Sequence, residues 1–296
     1  MKELVGADAM DAAPAVDPAQ RIVFQGQPGA YSHLACNQVY PDLEPWPVDA
    51  FEEAFAAVRE GAAGRAMIPI DNSVAGRVAD IHHLMPHGGL HIIGEHFQRV
   101  NHHLLALPGV RIEDVRAVHS HIHALAQCRR LFRELNLLPK VHADTAGAAR
   151  EVAASGRKDQ AAIASRLAAE IYGLTILRSD IEDAPHNTTR FVVLAREPVE
   201  PPLDEGPVIT SFLFRVRNVP AALYKALGGF ATNGVNMIKL ESYVDAAFKQ
   251  AQFYAEIVGH PDEVGVGHAF DELAFFSEEV ERLGVYPAHP FRFQDD

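Results

Sequence analysis

Asn187-Thr188-Thr189-Arg190-Phe191 sets a carboxamide, two hydroxyls, a guanidinium and an aromatic ring side by side, and Val192-Val193-Leu194 continues it as an apolar strand. A hydroxyl so placed can donate a proton. A guanidinium can grip a carboxylate through two parallel hydrogen bonds, and a ring can wall a small cyclic substrate. Together the group could hold a carboxylate, donate a proton and pack against a small ring. Asp71-Asn72-Ser73 follows the apolar run 65–70, the place where ligands sit in open α/β sheets; a simple helix cap by Asp71 or Ser73 is the alternative. Ser120 follows the strand-like Ala117-Val118-His119, and if Ser120 caps the next helix, Gln127 lies about two turns on, near the same cleft. Gly26-Gln27-Pro28-Gly29-Ala30 and Asp144-Thr145-Ala146 are turns ahead of helices, whose free backbone N–H groups can take an anion.

The elements that must position these groups repeat as short strand, polar turn and helix, which predicts an α/β fold with a mostly parallel sheet. Strands are expected at 21–25, 65–70, 117–119, 141–143 and 161–164, with one or two in 90–107 crossing between lobes. Helices are expected over 31–40, 51–60, near 76–85, over 124–136, from 144 to 154, and from Ser165 to Gly173. Residues 197–207 hold four prolines and read as a linker. Beyond them the spacing predicts strand 208–217, helix 220–232, strands 235–244 and 248–258 joined by a short turn, helix 261–283 and strand 285–293. That βαββαβ order is the ferredoxin-like split.

A chain of 296 residues is long for one core and predicts two domains. The net charge of −13 argues against nucleic acid or an anionic membrane as partner, so an anionic substrate must be held by local donors. No run approaches the roughly 18 consecutive apolar residues of a membrane span. Residues 1–19, rich in Ala, Asp and Pro, read as a disordered tail rather than a signal peptide. Two cysteines, Cys36 and Cys128, fit reduced thiols in a cytoplasm, with Cys128 in core packing. The sixteen histidines show no metal-ligand spacing, and neither metal nor cofactor is expected.

Taken in order, several segments carry a resemblance: Gly26-Gln27-Pro28-Gly29-Ala30-Tyr31-Ser32; Ile68-Pro69-Ile70-Asp71-Asn72-Ser73-Val74-Ala75-Gly76; Ser120 with Ala124-Leu125-Ala126-Gln127-Cys128; Asp144-Thr145-Ala146; Ala161-Ala162-Ile163-Ala164-Ser165; and Ile181-Glu182-Asp183 before Asn187-Thr188-Thr189-Arg190-Phe191. With the module that follows, the chain resembles the stand-alone prephenate dehydratases from Arg21 to Phe293. The resemblance implies a two-lobed catalytic domain similar to periplasmic binding proteins over 20–197, a linker over 198–207 and a ferredoxin-like ACT domain over 208–296. It implies loss of water and carbon dioxide from prephenate to give phenylpyruvate in phenylalanine biosynthesis. Thr189 is then the proton donor, with Asn72, Ser120 and Gln127 as orienting donors. Phe191 walls the ring, Arg190 holds the pyruvyl carboxylate, backbone near Gly29 and Thr145 holds the other, and Asp71, Ser73 and Thr188 complete the binding set.

The resemblance also implies phenylalanine sensing at a subunit interface by Asn218, Ala221, Ala222, Leu223, Glu241 and Ser242, in a homodimer or homotetramer. This chain departs from the family pattern in four places. Asp71 stands where the family has Glu, and Ser120-His121-Ile122-His123 replaces Ser-His-Pro-Gln. Ala221-Ala222-Leu223-Tyr224 replaces Gly-Ala-Leu-Val, and Glu241-Ser242-Tyr243-Val244 replaces Glu-Ser-Arg-Pro. An arogenate dehydratase, or an amino-acid sensor that binds without catalysis, are the alternatives.

Overall fold

The computed structural model describes residues 16–78, 81, 84–244 and 251–294. In the first lobe, β1 (Arg21–Gln25), β2 (Glu44–Val48) and β3 (Arg65–Asn72) pair in parallel. Parallel neighbours need crossovers, and α1 (Tyr31–Val39) and α2 (Phe51–Arg59) supply them. On α2, Ala54, Phe55, Ala57 and Val58 are buried at helical spacing. After the short β4 (Gly76–Arg77) and β5 (His91–Arg99), the chain leaves this lobe. It returns as β11 (Thr188–Ala195), which slots antiparallel between β3 and β5.

The excursion builds the second lobe: β6 (His103–Ala106), β7 (Ala117–Ser120), α3 (Ile122–Ala126), α4 (Arg129–Leu135), β8 (Leu138–Val141), α5 (Thr145–Ser155), β9 (Gln160–Ala164), α6 (Arg166–Tyr172) and β10 (Thr175–Arg178). Its sheet runs β10-β6-β9-β7-β8. Two crossings, at 100–102 and 179–187, join the lobes. Both sheets are mixed rather than mostly parallel, because β5, β6, β10 and β11 border the crossings and include the chain's return runs.

The C-terminal part keeps the expected order: β12 (Val208–Val216), α7 (Ala222–Thr232), β13 (Asn236–Val244), β14 (Ala251–Val258), α8 (Val264–Phe276) and β15 (Ser277–Pro287). Its antiparallel sheet runs β13-β14-β12-β15. The helices cover one face through Phe212, Phe230, Ala269 and Leu273. The other face is not left to solvent. Ile209, Leu213, Tyr254, Leu283 and Tyr286 belong to the same buried cluster as Ile68, Ile92 and Leu194 of the first lobe. Burying side chains of this size contributes roughly 1.5–3 kcal/mol each relative to exposure, so the module and the lobe share one core. The approach is closest at Gly284, where a Cβ would overlap the Ile92 carbonyl. Gly284→Ala should therefore destabilise the protein by about 1–3 kcal/mol of overpacking, read as a lower melting temperature; an unchanged melt would count against this docking.

Several expected elements differ. The predicted helix 261–283 stops at Phe276, and residues 277–283 form the first part of β15. Residues 290–293 are a 3-10 turn instead of strand. Strands β2 and β10 were not expected. Of the helix expected near 76–85, Gly76–Arg77 is strand, Met85–His87 is a 3-10 turn, and part lies outside the described residues. Residues 245–250, where the turn between β13 and β14 was expected, and the first fifteen residues of the expected tail also lie outside them; Pro18–Gln20 is a 3-10 turn capped by Asp17. No helix among the described residues is long and apolar enough to cross a membrane.

Candidate active site

Thr189 and Asn72 are cross-strand partners on β11 and β3. Strand side chains alternate between faces, and this pair points into a cavity of about 390 Å³ between the lobes. Tyr31, His102, Gln127, Thr145 and Phe191 also line it.

The hydrogen bonds here have a polarity that two backbone groups impose. Asn72 Oδ1 accepts the N–H groups of Val74 (3.0 Å) and Ala75 (2.7 Å), which fixes its carboxamide orientation. Asn72 Nδ2 must then be the donor to Thr189 Oγ1 (2.9 Å) and Asn187 Oδ1 (2.8 Å). Asn187, 2 % exposed, passes the sense on by donating from Nδ2 to Gln127 Oε1 (2.7 Å). With Gln127 Oε1 set as acceptor, His102 Nε2 at 2.9 Å carries the proton, and His102 Nδ1 faces the Tyr31 hydroxyl at 3.1 Å. The Tyr31 hydroxyl also meets the Asn101 carbonyl. Burial holds the His102 pKa below its ordinary value, although Gln127 and Glu182 pull the other way. Burial, then Glu182, pushes the Tyr31 phenol well up. Both rings are neutral links at neutral pH. Thr189 Oγ1 ends the chain as an acceptor, and its own hydrogen is free to point into the cavity.

Gln127 reaches this network because the helix expected over 124–136 is broken. The Asp183 carboxylate takes the N–H groups of Arg129 (2.8 Å) and Arg130 (3.1 Å), starting α4 afresh. The Asp183 N–H in turn donates to the Gln127 carbonyl (2.6 Å). Asp183→Ala should cost roughly 1 kcal/mol as a lost cap and lower turnover more than substrate affinity, which steady-state kinetics and a thermal melt together would check.

The structure brings Thr189, Asn72, Gln127, Phe191 and Thr145 to one cleft. It places the other expected site residues elsewhere. Arg190 is the main correction: it lies one residue from Thr189 on a strand and so faces the opposite side. There its guanidinium, 6 % exposed, donates to Glu95 (2.8 Å), Glu256 (2.8 Å) and Tyr286 (3.1 Å). Burial works against its charge, but Tyr286, Glu256, Tyr254 and Glu95 together raise its pKa. Asp71 shares that face and pairs with Lys239. Thr188 also lies on that side, and Ser73 donates to the His186 carbonyl (2.8 Å) while accepting the Thr188 N–H (2.9 Å). Ser120 is fully buried and donates to the Ile163 carbonyl (2.6 Å), a bond across its own sheet. The Gly29 N–H is taken by His33 Nδ1 (3.0 Å) and its carbonyl by the Ser165 hydroxyl, so this turn ties the lobes together instead of offering a donor.

Residues that sequence reasoning did not assign to the site are Tyr31, His102, His121, His123 and Asp144, all lining the cleft. Tyr31 stood in a motif and His102 in the crossing, but histidine-rich surroundings gave no period to single either out. No Lys or Arg is among the lining residues. The start of α1, at Ala30 and Tyr31, has no side-chain cap and opens on the cleft. At the start of α5, Asp144 accepts the Gly147 N–H (2.6 Å). Among the described residues no group of three or more His, Cys, Asp or Glu could hold a metal ion. Of the expected effector residues, Asn218, Ala221, Ala222 and Leu223 sit at the start of α7, with Ala221 left-handed at φ 61°; Glu241 and Ser242 lie on the edge strand β13.

Residues 22–199 match the model of the family described as prephenate dehydratase. The chain is 53% identical over 272 residues to a bifunctional N-acyl-homoserine lactone acylase/prephenate dehydratase of Komagataeibacter europaeus, covering 92% of this chain and 97% of that one. It is 40% identical over 286 residues to arogenate dehydratase/prephenate dehydratase 1 of Arabidopsis thaliana, covering 92% of this chain and 73% of the relative. The crystal structure of prephenate dehydratase from Arthrobacter aurescens in complex with L-Phe superposes with a TM-score of 0.84 at 31% identity, covering 90% of each chain. With the family's model matched across both lobes and such identity along most of the relatives' length, the chain belongs to the prephenate dehydratase family.

Proposed function

We propose that this cleft converts prephenate to phenylpyruvate, with Thr189 donating to the departing ring hydroxyl. The observation that carries the reading is the Asn72 carboxamide, whose fixed polarity makes Thr189 Oγ1 an acceptor and aims its hydrogen at substrate. A threonine hydroxyl is a weak acid, so its part is a hydrogen bond that strengthens as the oxygen leaves; one preorganised donor of this kind contributes about 10²–10³-fold. Aromatisation supplies the driving force. Phe191 gives the ring an apolar wall, and the carboxylates meet the N–H groups at the start of α1 and neutral donors such as Gln127. Weak neutral donors suit a carboxylate that must depart, because a tight ion pair would stabilise the ground state and raise the barrier. Mixing the protein with prephenate and following phenylpyruvate absorbance tests the reading; product formation no faster than the uncatalysed background would sink it.

Asp144 is the one carboxylate among the residues lining the cleft, and an acid there could receive the ammonium of arogenate. One of its oxygens, Oδ1, accepts the Gly147 N–H as a helix cap while Oδ2 takes no hydrogen bond among the described residues, so the acid alone does not rank the two substrates. The ratio of kcat/KM for the two substrates decides the order.

Residues 208–296 are read as the regulatory unit on a catalytic unit of 20–197, in a homodimer or homotetramer paired through this module. Phenylalanine is the effector, bound by the start of α7 and the β13 edge of a neighbouring copy. The βαββαβ order and the L-Phe complex of the Arthrobacter relative support this. Added phenylalanine is expected to lower turnover. Tyr243 and Val244 stand where the family has Arg and Pro, so titration calorimetry should show weaker binding than a module with those residues; heat absent at millimolar phenylalanine would remove the effector assignment.

A further inference from the structure

The Thr189–Asn72 pair has a second pair directly beside it, Arg190 and Asp71, which are also cross-strand partners on β11 and β3. Alternation turns this second pair away from the cleft and onto the C-terminal module. Facing it there are Glu256 and Lys239, themselves cross-strand partners on β14 and β13. The signs match across the junction: Arg190 bonds Glu256, and Lys239 bonds Asp71. The four groups form a square of alternating charge, and a one-residue slip of either strand pair would swing its charges to the opposite face.

Two further features show that the square is built. A register irregularity falls beside it in each strand pair, between Arg190 and Phe191 and between Met237 and Lys239; bulges next to active sites re-aim side chains. Glu256 is fully buried and Lys239 nearly so, with 13% of its side chain exposed.

We infer that Glu256 and Lys239 of the C-terminal module are positioning residues for the reaction, holding Arg190 and Asp71 so that Thr189 Oγ1 and Asn72 Nδ2 stay in register. The inference rests on the cleft being the site of prephenate turnover. Neither residue touches substrate. Each holds the peptide next to a reacting or orienting side chain, with no flexible segment between. A rotation of the module is therefore transmitted to the pair, whatever causes it, and a misplacement near 1 Å costs about 10²-fold in rate.

The test compares prephenate turnover by the unmodified protein with Lys239→Met, Asp71→Asn and the double variant. Circular dichroism melts establish that each is folded at the assay temperature. The expected result is a kcat about tenfold or more lower in each single variant with KM little changed, and a double variant no slower than the slower single one. Unchanged kcat in Lys239→Met, a loss confined to KM, or additive losses in the double variant would overturn it. A readout independent of turnover is the side-chain amide resonance of Asn72 in asparagine-labelled protein. It should move in Lys239→Met and stay in place in Lys140→Met, at an exposed position of β8. A resonance that stays put in both overturns the inference even if the unmodified protein proves inert towards prephenate, which is the outcome that sinks the functional reading instead.

Discussion

Thr189→Val should lower kcat by about 10²–10³-fold while leaving KM within a small factor. Valine keeps the volume and the β-branched preference for strand, so β11 and its pairing with Asn72 are retained, and what is lost is one hydroxyl. Asn72 Nδ2 keeps its other acceptor, Asn187 Oδ1, so the network does not collapse around a missing partner. Thr189→Ser restores the hydroxyl with more rotamer freedom and should recover a substantial part of the rate. Asn72→Ala is a different loss. The Val74 and Ala75 N–H groups then lose their acceptor and Thr189 its orientation, so stability and kcat should fall together. Steady-state kinetics with a thermal melt on each variant separates these cases; a Thr189→Val protein retaining full kcat would remove Thr189 from the chemistry.

The same strand shows how far the sequence could be read. The apolar run after Asn187, the polar ends of β3 and β7 and the order of motifs marked the two-lobed catalytic unit and the pair Thr189–Asn72. Arg190 was misplaced although the information was present: a strand that sends Thr189 into the cleft must send its neighbour out. Pattern alone could not show that the far side was occupied, because Glu95 and Glu256 lie 95 and 66 residues away in sequence. The break before α4 was hidden for a similar reason, since its cap, Asp183, arrives from the second crossing. At the start of β15, the run Ser277-Glu278-Glu279-Val280-Glu281-Arg282-Leu283 is rich in the good helix formers Glu, Arg and Leu. Pairing with β12 overrides that preference, and only the partner strand reveals it.

Arg190→Met should destabilise the protein by about 3–5 kcal/mol, the cost of leaving buried charge uncompensated. Its guanidinium is the shared partner of Glu95 and Glu256, whose side chains are almost wholly buried. Arg292 also bonds both carboxylates, which keeps the loss towards the lower end of that range. Arg190→Lys should recover only part of it, because one ammonium cannot match a planar fork that meets three partners. The effect carries a pH signature. In the folded protein burial alone would raise the Glu256 pKa, but Arg190, with help from the Tyr254 hydroxyl and Lys239, outweighs it and holds the carboxyl below its ordinary value. A depressed carboxylate contributes stability above its unfolded pKa, near 4.3, and loses it as pH falls through the folded value. Without Arg190 the burial contribution is less opposed and the folded pKa rises, so protonation relieves the variant instead of harming it. The melting-temperature gap between the two proteins should therefore be widest near neutrality and narrow towards acid. Melts across that range check it, and a gap independent of pH would mean that Arg190 stabilises through packing on Phe97 more than through charge.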